Sequence, residues 1–331
     1  MESYIPIKIC DLSPFQTLDF DVYILLLSQN KYLKYIHRND PIDNTMLLKL
    51  QGRGLHVLFV SSKELEAYKK FIAHSLSAKF KNPAYTSEQR IAMVKKEAIQ
   101  LIENLETMSE GSDVSTWTQN CFEIIMEFIY QISTVDSMEK MFNDFTKNTE
   151  EGSPFIKHSM QTCALSVLLG TLLGIHEHKE LTELAIAGLF HDLGLKNMTA
   201  AAQQKYFRGE SLTVSEKLQI QKHPADGAEK IKSMFGNNII SQDVLKIINE
   251  HHVSTSVNAY PHNASLAELT YLTRIVAIAD CLSRLVMQDG VFAFPLIVSK
   301  LILIQQRDLY HELDMKILNQ IKTVATQQWE G

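Results

Sequence analysis

Histidine and aspartate recur at the ends of apolar helical runs in the C-terminal half of the chain. Eight of the twelve histidines fall between positions 158 and 262. Each recurring position lies on a predicted helix or at its end, where side chains from several helices can meet. In chain order these positions are His158, His191-Asp192, His223, His251-His252 and Asp280. The series constrains the fold strongly, because it requires several helices to converge on one polar centre.

The residue types in this series favour a metal centre. Imidazole and carboxylate together suit borderline divalent metals such as Fe, Mn, Zn and Co. Asp280 lies in the apolar run "IVAIADCL", where an unpaired buried carboxylate would be costly. An aspartate with two oxygens can bridge two ions about 3.5–4 Å apart, which polarise a phosphoryl oxygen and deprotonate a shared water. Any one of these histidines alone is more typical of an ordinary core or surface residue, and the pattern alone leaves both interpretations open.

Residues 151–331 are predicted to be helical almost throughout. "KHSMQTCALSVLLGTLLG" ends at Gly174 and "LTELAIAGLFHDLG" ends at Gly194, each a candidate C-terminal cap. "TVSEKLQIQKH" opens with a Thr213/Glu216 capping box and is predicted to close at Pro224. The remaining predicted helices are "DVLKIINEHH", "LTYLTRIVAIADCLSRLV" and "FPLIVSKLILIQQ".

The preceding half of the chain has a different pattern. Residues 1–85 carry the β-type runs "DVYILLL", "KYLKYI" and "HVLFV" and the helical run "SSKELEAYKKFIAHSL", which together predict a small α+β domain. Residues 86–150 switch to helical periodicity, opening with a Thr86/Gln89 capping box and ending at the polar boundary "KNTEEGSP". A short helix bearing Met138 and Phe142 is predicted before that boundary. The predicted fold is therefore mainly α: an α+β domain, linking helices and an all-helical bundle over 151–331.

Composition argues against several classes of partner and location. The formal net charge of −6 provides no basic field to attract DNA or acidic membranes. The four cysteines are widely spaced without a CxxC pair, which is typical of a reducing compartment. No run reaches the roughly 18 apolar residues of a membrane span, and the N-terminus lacks signal-peptide order. These features predict a cytoplasmic protein.

The ordered motifs resemble the HD superfamily of metal-dependent phosphohydrolases, and within it the HD-GYP subfamily. The first match is "HSMQTCALSVLLG" followed by "LTELAIAGLFHDLGLK". "LTVSEKLQIQKHPADGAEKI" resembles the stretch leading to the subfamily's His-Pro, and "HHVSTSVNAYP" has the length of its double-histidine to Gly-Tyr-Pro segment. "LTRIVAIADCL" resembles its closing helix. The resemblance covers about residues 151–300 and implies an all-helical HD-type bundle.

The resemblance also implies an activity and a cofactor. HD-GYP proteins act in bacterial signalling as phosphodiesterases that open cyclic di-GMP to pGpG and sometimes to GMP, using a bridging hydroxide on a dinuclear centre. Carried over by position, the first metal would be held by His158, His191, Asp192 and Asp280. The second would be held by His223, His251 and His252, with Asp192 bridging. Iron or manganese is the usual pair of ions. Pro154 stands where trimetal members place a glutamate, which favours two ions over three.

The residues expected to contact substrate depart from the subfamily pattern. The subfamily's lysine position is Leu195 here, and Lys196 follows one residue later, either near a phosphate as a catalytic group or as a solvated capping cation. Tyr260 keeps the tyrosine of the signature, but Ala259 replaces its glycine. Arg274 matches the subfamily's arginine, but it could also simply be an interior partner of a neighbouring helix. Arg284 is the basic residue found after the closing aspartate, while Asp289 and Phe292 lie nearer to where the subfamily places its basic residues.

Three functions follow from these matches and departures. The first is an active cyclic di-GMP phosphodiesterase. The second is a metal-loaded signalling module with weak or no turnover, acting by nucleotide or protein binding. The third is hydrolysis of another phosphoester. The N-terminal domain is predicted to sense a signal or bind a protein partner, and the apolar faces of the linking helices suit core packing, domain coupling or a homodimer.

Overall fold

The computed structural model describes residues 3–9, 12, 17–26, 29–42, 44–55, 57–74, 80, 85–107, 114–134, 153–235, 240–253, 260–261, 266–289 and 315–327. The chain divides into two compact units, Met1–Glu127 and Phe128–Gly331. Helices dominate the described residues, and a small sheet lies near the N-terminus, which confirms the predicted fold class. The three-part division with a linking segment at 86–150 stays a prediction.

The first unit contains a four-stranded antiparallel sheet in the order β1-β4-β2-β3. Its strands are β1 (Tyr4–Lys8), β2 (Val22–Leu26), β3 (Lys31–Ile36) and β4 (Val57–Ser61). The three strands predicted from the sequence are confirmed. The prediction missed β1, which carries Pro6 and lies at the sheet edge, where a residue without an N–H is tolerated.

One helix of the first unit lies between β3 and β4 in the chain, and the others follow β4. In chain order the helices are α1 (Asn44–Gly52), α2 (Leu65–His74), α3 (Ser87–Thr107) and α4 (Val114–Thr134), the last of which continues into the second unit. The capping box that opens α3 is confirmed: Thr86 N donates to Gln89 Oε1 at 2.9 Å, and Gln89 N donates to Thr86 Oγ1 at 3.3 Å. The helix predicted around Met138 and the run 294–306 lie outside the described residues.

The second unit is built from helices in its described residues. They are α5 (Pro154–Leu172), α6 (His178–Phe190), α7 (Ala200–Arg208), α8 (Val214–Phe235), α9 (Gln242–Glu250), α10 (Tyr271–Asp289) and α11 (Met315–Gln327). Helix α5 packs against α6 and α10 and is buried on nearly every face, as expected for a helix that is apolar all round. Ser153 caps its first turn, and Pro154 occupies a first-turn position where no N–H is needed. This central helix places His158 in the interior of the unit.

Two predicted helix ends are wrong, and both lie at the polar centre. Helix α6 ends at Phe190 rather than at Gly194, which falls within a 3₁₀ turn, Leu193–Asn197. Helix α8 does not close at Pro224 but continues through it to Phe235. The Thr213/Glu216 capping box of α8 is confirmed, with Thr213 N donating to Glu216 Oε2 at 2.7 Å. The Gly174 cap is also confirmed by its left-handed φ of 86°.

Within the described part of the chain, no helix is both long enough and apolar enough to cross a membrane.

Candidate metal centre

The predicted metal ligands converge in the interior of the second unit. One comes from the second turn of α5, two from the turn after α6, one from the middle of α8, two from the turn after α9 and one from α10. They are His158, His191, Asp192, His223, His251, His252 and Asp280. All are buried except His252, which is half-buried. Within each of two groups that share Asp192, the potential ligand atoms lie within 4.8 Å of one another.

The first group brings together His158, His191, Asp192 and Asp280. Nε2 of His158 lies 3.1 Å from Nε2 of His191, 2.9 Å from Oδ1 of Asp280 and 3.3 Å from Oδ2 of Asp192. Ligand atoms bound to one ion at about 2.1 Å lie about 3.0–3.4 Å apart for right-angle to tetrahedral arrangements. The spacing of this group therefore suits a single shared cation.

The second group lies on the other side of Asp192. Nε2 of His223 is 2.9 Å from Oδ1 of Asp192 and 3.4 Å from Nε2 of His251. Nε2 of His251 is 3.7 Å from the same aspartate oxygen. His252 completes this group and also approaches the first one, since its Nδ1 lies 4.0 Å from Oδ2 of Asp280.

Asp192 joins the two groups through its two oxygens. Oδ2 faces His158 and His191, whereas Oδ1 faces His223 and His251. Among the described residues, both oxygens of Asp192 and Oδ1 of Asp280 are buried without a well-formed hydrogen bond. A buried carboxylate without hydrogen bonds is costly unless a cation compensates it. The donor set therefore fits divalent cations on both sides of Asp192.

Backbone carbonyls orient three of the imidazoles. In each case Nδ1 contacts the carbonyl oxygen of the residue three positions earlier, at 2.9 Å for His191, 2.6 Å for His223 and 2.7 Å for His251. A carbonyl can only accept, so Nδ1 must carry the proton and Nε2 keeps its lone pair. Hydrogen bonds of this kind commonly fix the tautomer and orientation of metal-binding histidines.

Side chains rather than a carbonyl orient His158. Its Nδ1 lies 2.9 Å from the hydroxyl of Ser283, which donates its own proton to Oε1 of Gln161 at 3.0 Å. Because the serine proton is engaged, the serine oxygen accepts from Nδ1–H of His158. The ring of Phe207 packs beside the imidazole with a centroid separation of 5.2 Å. His158 therefore also presents an unprotonated Nε2 to the carboxylates.

The electrostatics of the centre are those of a site that needs a cation. Burial disfavours a charged imidazole at His191, but the adjacent carboxylates of Asp192 and Asp280 outweigh burial and raise the pKa of His191 to about 10. Burial lowers the pKa of His251 to about 4. Burial also acts to raise the pKa of Asp192, yet His191 and His223 hold it well below its usual range.

Arg284 lies at the edge of the centre among the residues predicted to bind substrate. One turn after Asp280 on α10, its guanidinium donates to Oδ2 of Asp280 and to the hydroxyl of Tyr206. It also lies 3.4 Å from Nε2 of His252. The ring of Tyr260 lies beside that of His252, with the ring centroids 4.7 Å apart. The hydroxyl of Tyr260 forms a hydrogen bond with Tyr206. Arg284 and Tyr260 thus both reach the metal centre.

Two other predicted contacts lie elsewhere. Leu195 is fully buried, and the ammonium of Lys196 lies over the ring of Phe155, 4.6 Å from its centroid. Arg274 is half-buried in the first turn of α10, six residues before Asp280, which places it about 120° around the helix from that carboxylate. The structure does not bring Arg274 or Lys196 into the two ligand groups, and their roles stay predictions.

Sequence reasoning missed three polar residues of the centre. Gln161 and Ser283 each follow a predicted ligand by three positions on the same helix, His158 and Asp280 respectively. That spacing on one helix face was a signal that could have found them. Tyr206 had no such signal, because it reaches Arg284 from α7 and only the packing of that helix brings it there.

Gly194 permits a close approach between two ligand-bearing segments. A Cβ at this position would lie 2.0 Å from the carbonyl oxygen of His223. The 3₁₀ turn after Asp192 therefore packs directly on the backbone of α8, and both ligands depend on that contact.

We expect Gly194→Ala to lower the free energy of unfolding of the second unit by about 1–3 kcal/mol or more, because the new methyl group would push the His223 backbone away. Thermal unfolding of the metal-free protein measures the effect. Gly52→Ala is the control, since a Cβ at Gly52 has no neighbour within 4 Å. Equal melting temperatures for both variants would contradict the close contact.

Comparison with known proteins agrees with this geometry. The HD domain family model matches residues 155–285. The "3'3'-cGAMP-specific phosphodiesterase 1" of Vibrio cholerae serotype O1 is 26% identical over 129 residues, which make up 39% of this chain and only 28% of that protein. The solved structure of Bd1817, an HDG"Y"P protein from Bdellovibrio bacteriovorus, superimposes with a TM-score of 0.57 at 18% identity, covering 98% of this chain and 100% of the other. Residues 155–285 are therefore an HD domain, and the chain shares its fold with the Bdellovibrio protein.

Proposed function

We propose that the chain is a metal-dependent phosphodiesterase that hydrolyses cyclic di-GMP to linear pGpG. The observation that carries the proposal is the position of Asp192. Its two buried oxygens face two separate groups of imidazoles, an arrangement suited to two neighbouring cations. Two-metal centres of this kind catalyse the hydrolysis of phosphoesters.

Two groups of ligands would hold the ions. His158, His191, Asp192 and Asp280 would hold one, and the same Asp192 with His223, His251 and His252 would hold the other. We propose iron, with manganese as the alternative, because imidazole and carboxylate donors suit both. When bound, the ions would supply a Lewis acid for the phosphoryl oxygens and lower the pKa of water.

The chain's own side chains would bind the phosphodiester beside the ions. The guanidinium of Arg284 carries a fixed positive charge and donors beyond those used by Asp280 and Tyr206, so it can pair with a phosphate oxygen. The hydroxyls of Tyr206 and Tyr260 are further donors next to it. Hydrolysis consumes one water, breaks one P–O bond to a ribose oxygen and opens the ring, leaving a terminal phosphate and a free hydroxyl.

Two alternatives have specific support. The Vibrio cholerae relative is named for 3'3'-cGAMP, so a mixed cyclic dinucleotide is the second candidate substrate. The second alternative is a metal-loaded signalling module with little turnover. Burial of Leu195 and the position of Lys196 over Phe155 favour it, because the subfamily's lysine is then missing from the site. The proposal retains the predicted cytoplasmic location, a protein partner for the N-terminal unit and a homodimer, each of which follows from sequence and resemblance alone.

The metal proposal predicts about two transition-metal ions per chain after anaerobic purification. Asp192→Asn should lose both, because the neutral amide cannot supply a charged oxygen to each side. Elemental analysis measures the content. Asp226→Asn on the exposed side of α8 is the matched control and should retain two. Metal-free wild-type protein, or a fully loaded Asp192→Asn variant, would refute the dinuclear site.

The activity proposal predicts that the Mn²⁺- or Fe²⁺-loaded protein converts cyclic di-GMP to pGpG. Chromatography of parallel reactions with cyclic di-GMP and 3'3'-cGAMP measures which substrate is opened. Asp192→Asn and a chelator-treated sample provide the inactive controls. A preference for 3'3'-cGAMP would show that the mixed dinucleotide is the substrate instead of cyclic di-GMP. A protein that is fully loaded with metal but opens neither dinucleotide would favour the signalling module.

We expect Arg284→Lys to raise the KM for the cyclic dinucleotide by about 10–100-fold while the metal content stays unchanged. An ammonium cannot reproduce the guanidinium's paired donors toward both Asp280 and a phosphate. Steady-state kinetics and elemental analysis on the same preparation separate the two effects. Arg208→Lys, an exposed arginine at the end of α7, is the control. A loss of metal in Arg284→Lys would show that Arg284 supports the ligands instead.

A further inference from the structure

Pro224 lies in the interior of α8, a position that ordinarily weakens a helix. The helix runs from Val214 to Phe235 without interruption, and Pro224 is buried within it. A proline has no N–H to donate to the carbonyl four residues earlier, and its ring pushes that carbonyl outward. The carbonyl of Ile220 therefore lacks its usual helical donor.

His223 uses the carbonyl that Pro224 leaves free. Its Nδ1 lies 2.6 Å from the oxygen of Ile220. His191 and His251 make the same contact, but they follow directly after α6 and α9. The last four carbonyls of a helix have no intrahelical partner, so the chain end supplies a free acceptor at those two sites. His223 has no helix end nearby, and Pro224 provides the equivalent acceptor in the middle of a helix.

We propose that Pro224 is a positioning residue for the second metal: by removing one backbone donor, it reserves the Ile220 carbonyl for His223. The bond fixes the proton on Nδ1 and directs Nε2 at Oδ1 of Asp192, 2.9 Å away. The inference rests on the dinuclear site of the proposed function. A proline that destabilises the helix is thereby explained by the orientation that it gives to one metal ligand.

The proposal predicts opposite effects of Pro224→Ala on stability and on metal binding. An alanine N–H would bond to the Ile220 carbonyl and draw it back toward the helix axis, so the metal-free protein should melt a few degrees higher. The imidazole of His223 would then share or lose its acceptor. We expect affinity for the second Mn²⁺ to fall by about 10–100-fold, as for other losses of a hydrogen bond to a metal-binding histidine.

The experiment is calorimetric titration of Mn²⁺ into metal-free protein, with thermal melts of the same samples. Wild type is compared with Pro224→Ala, His223→Ala and the double variant. Pro154→Ala is the matched control, because this proline occupies the first turn of α5, where no helical carbonyl is freed. If Pro224 acts through His223, Pro224→Ala weakens the second ion only while His223 is present, and Pro154→Ala changes nothing.

Each other outcome counts against the inference. Unchanged affinity in Pro224→Ala overturns it, and so does an equal loss in the His223→Ala background. A lower melting temperature of the metal-free Pro224→Ala protein would show that the proline supports the fold rather than the ligand. Failure of the proposed function is distinguishable, because wild-type protein would then bind no pair of Mn²⁺ ions at the outset.

Discussion

The second unit depends on the burial of one carboxylate, Asp192, between two groups of imidazoles. Neither of its oxygens has a well-formed hydrogen bond among the described residues, so the surrounding helices must deliver compensating charge to both. Burying such a group without compensation would cost several kcal/mol. Four helices or helix ends would meet this demand by holding cations beside the carboxylate, through histidines whose Nε2 atoms lie 2.9–3.7 Å from its oxygens.

Unpaired backbone carbonyls allow the imidazoles to present Nε2 to this carboxylate. An imidazole offers a lone pair at Nε2 only if its other nitrogen has an acceptor, and buried carbonyls inside helices are usually already paired. The centre therefore uses the places where carbonyls are unpaired: the ends of α6 and α9 for His191 and His251, and the proline step of α8 for His223. His158, in the second turn of α5, uses the hydroxyl of Ser283 instead.

Much of the fold could be predicted from the sequence, because capping residues and apolar periodicity act locally. The capping boxes at Thr86 and Thr213 and the left-handed Gly174 are local features, and all three are confirmed. The errors at Gly194 and Pro224 have the opposite cause. Glycine and proline usually end helices, but Gly194 here permits a close contact with the distant backbone of His223, which local rules do not contain. Pro224 instead lies within a continuous helix, beside a histidine that bonds to the Ile220 carbonyl. The seven candidate ligands could be chosen from residue type alone, because imidazole and carboxylate are the donors that a metal centre needs. Tyr206 could not, because its position depends on how α7 packs.

The charge of the centre explains why an altered substrate contact need not abolish phosphate binding. Two divalent ions and the guanidinium of Arg284 would outweigh the two carboxylates of Asp192 and Asp280, leaving a net positive site. A phosphodiester is an anion, so a site with this surplus attracts it even without a lysine at position 195. Arg284 lies at the edge of the centre, against Asp280 and His252. If a phosphate binds here as proposed, the donors of Arg284 would fix an orientation that the ions alone would not select. The arginine, more than the displaced Lys196, would then define how the substrate is placed.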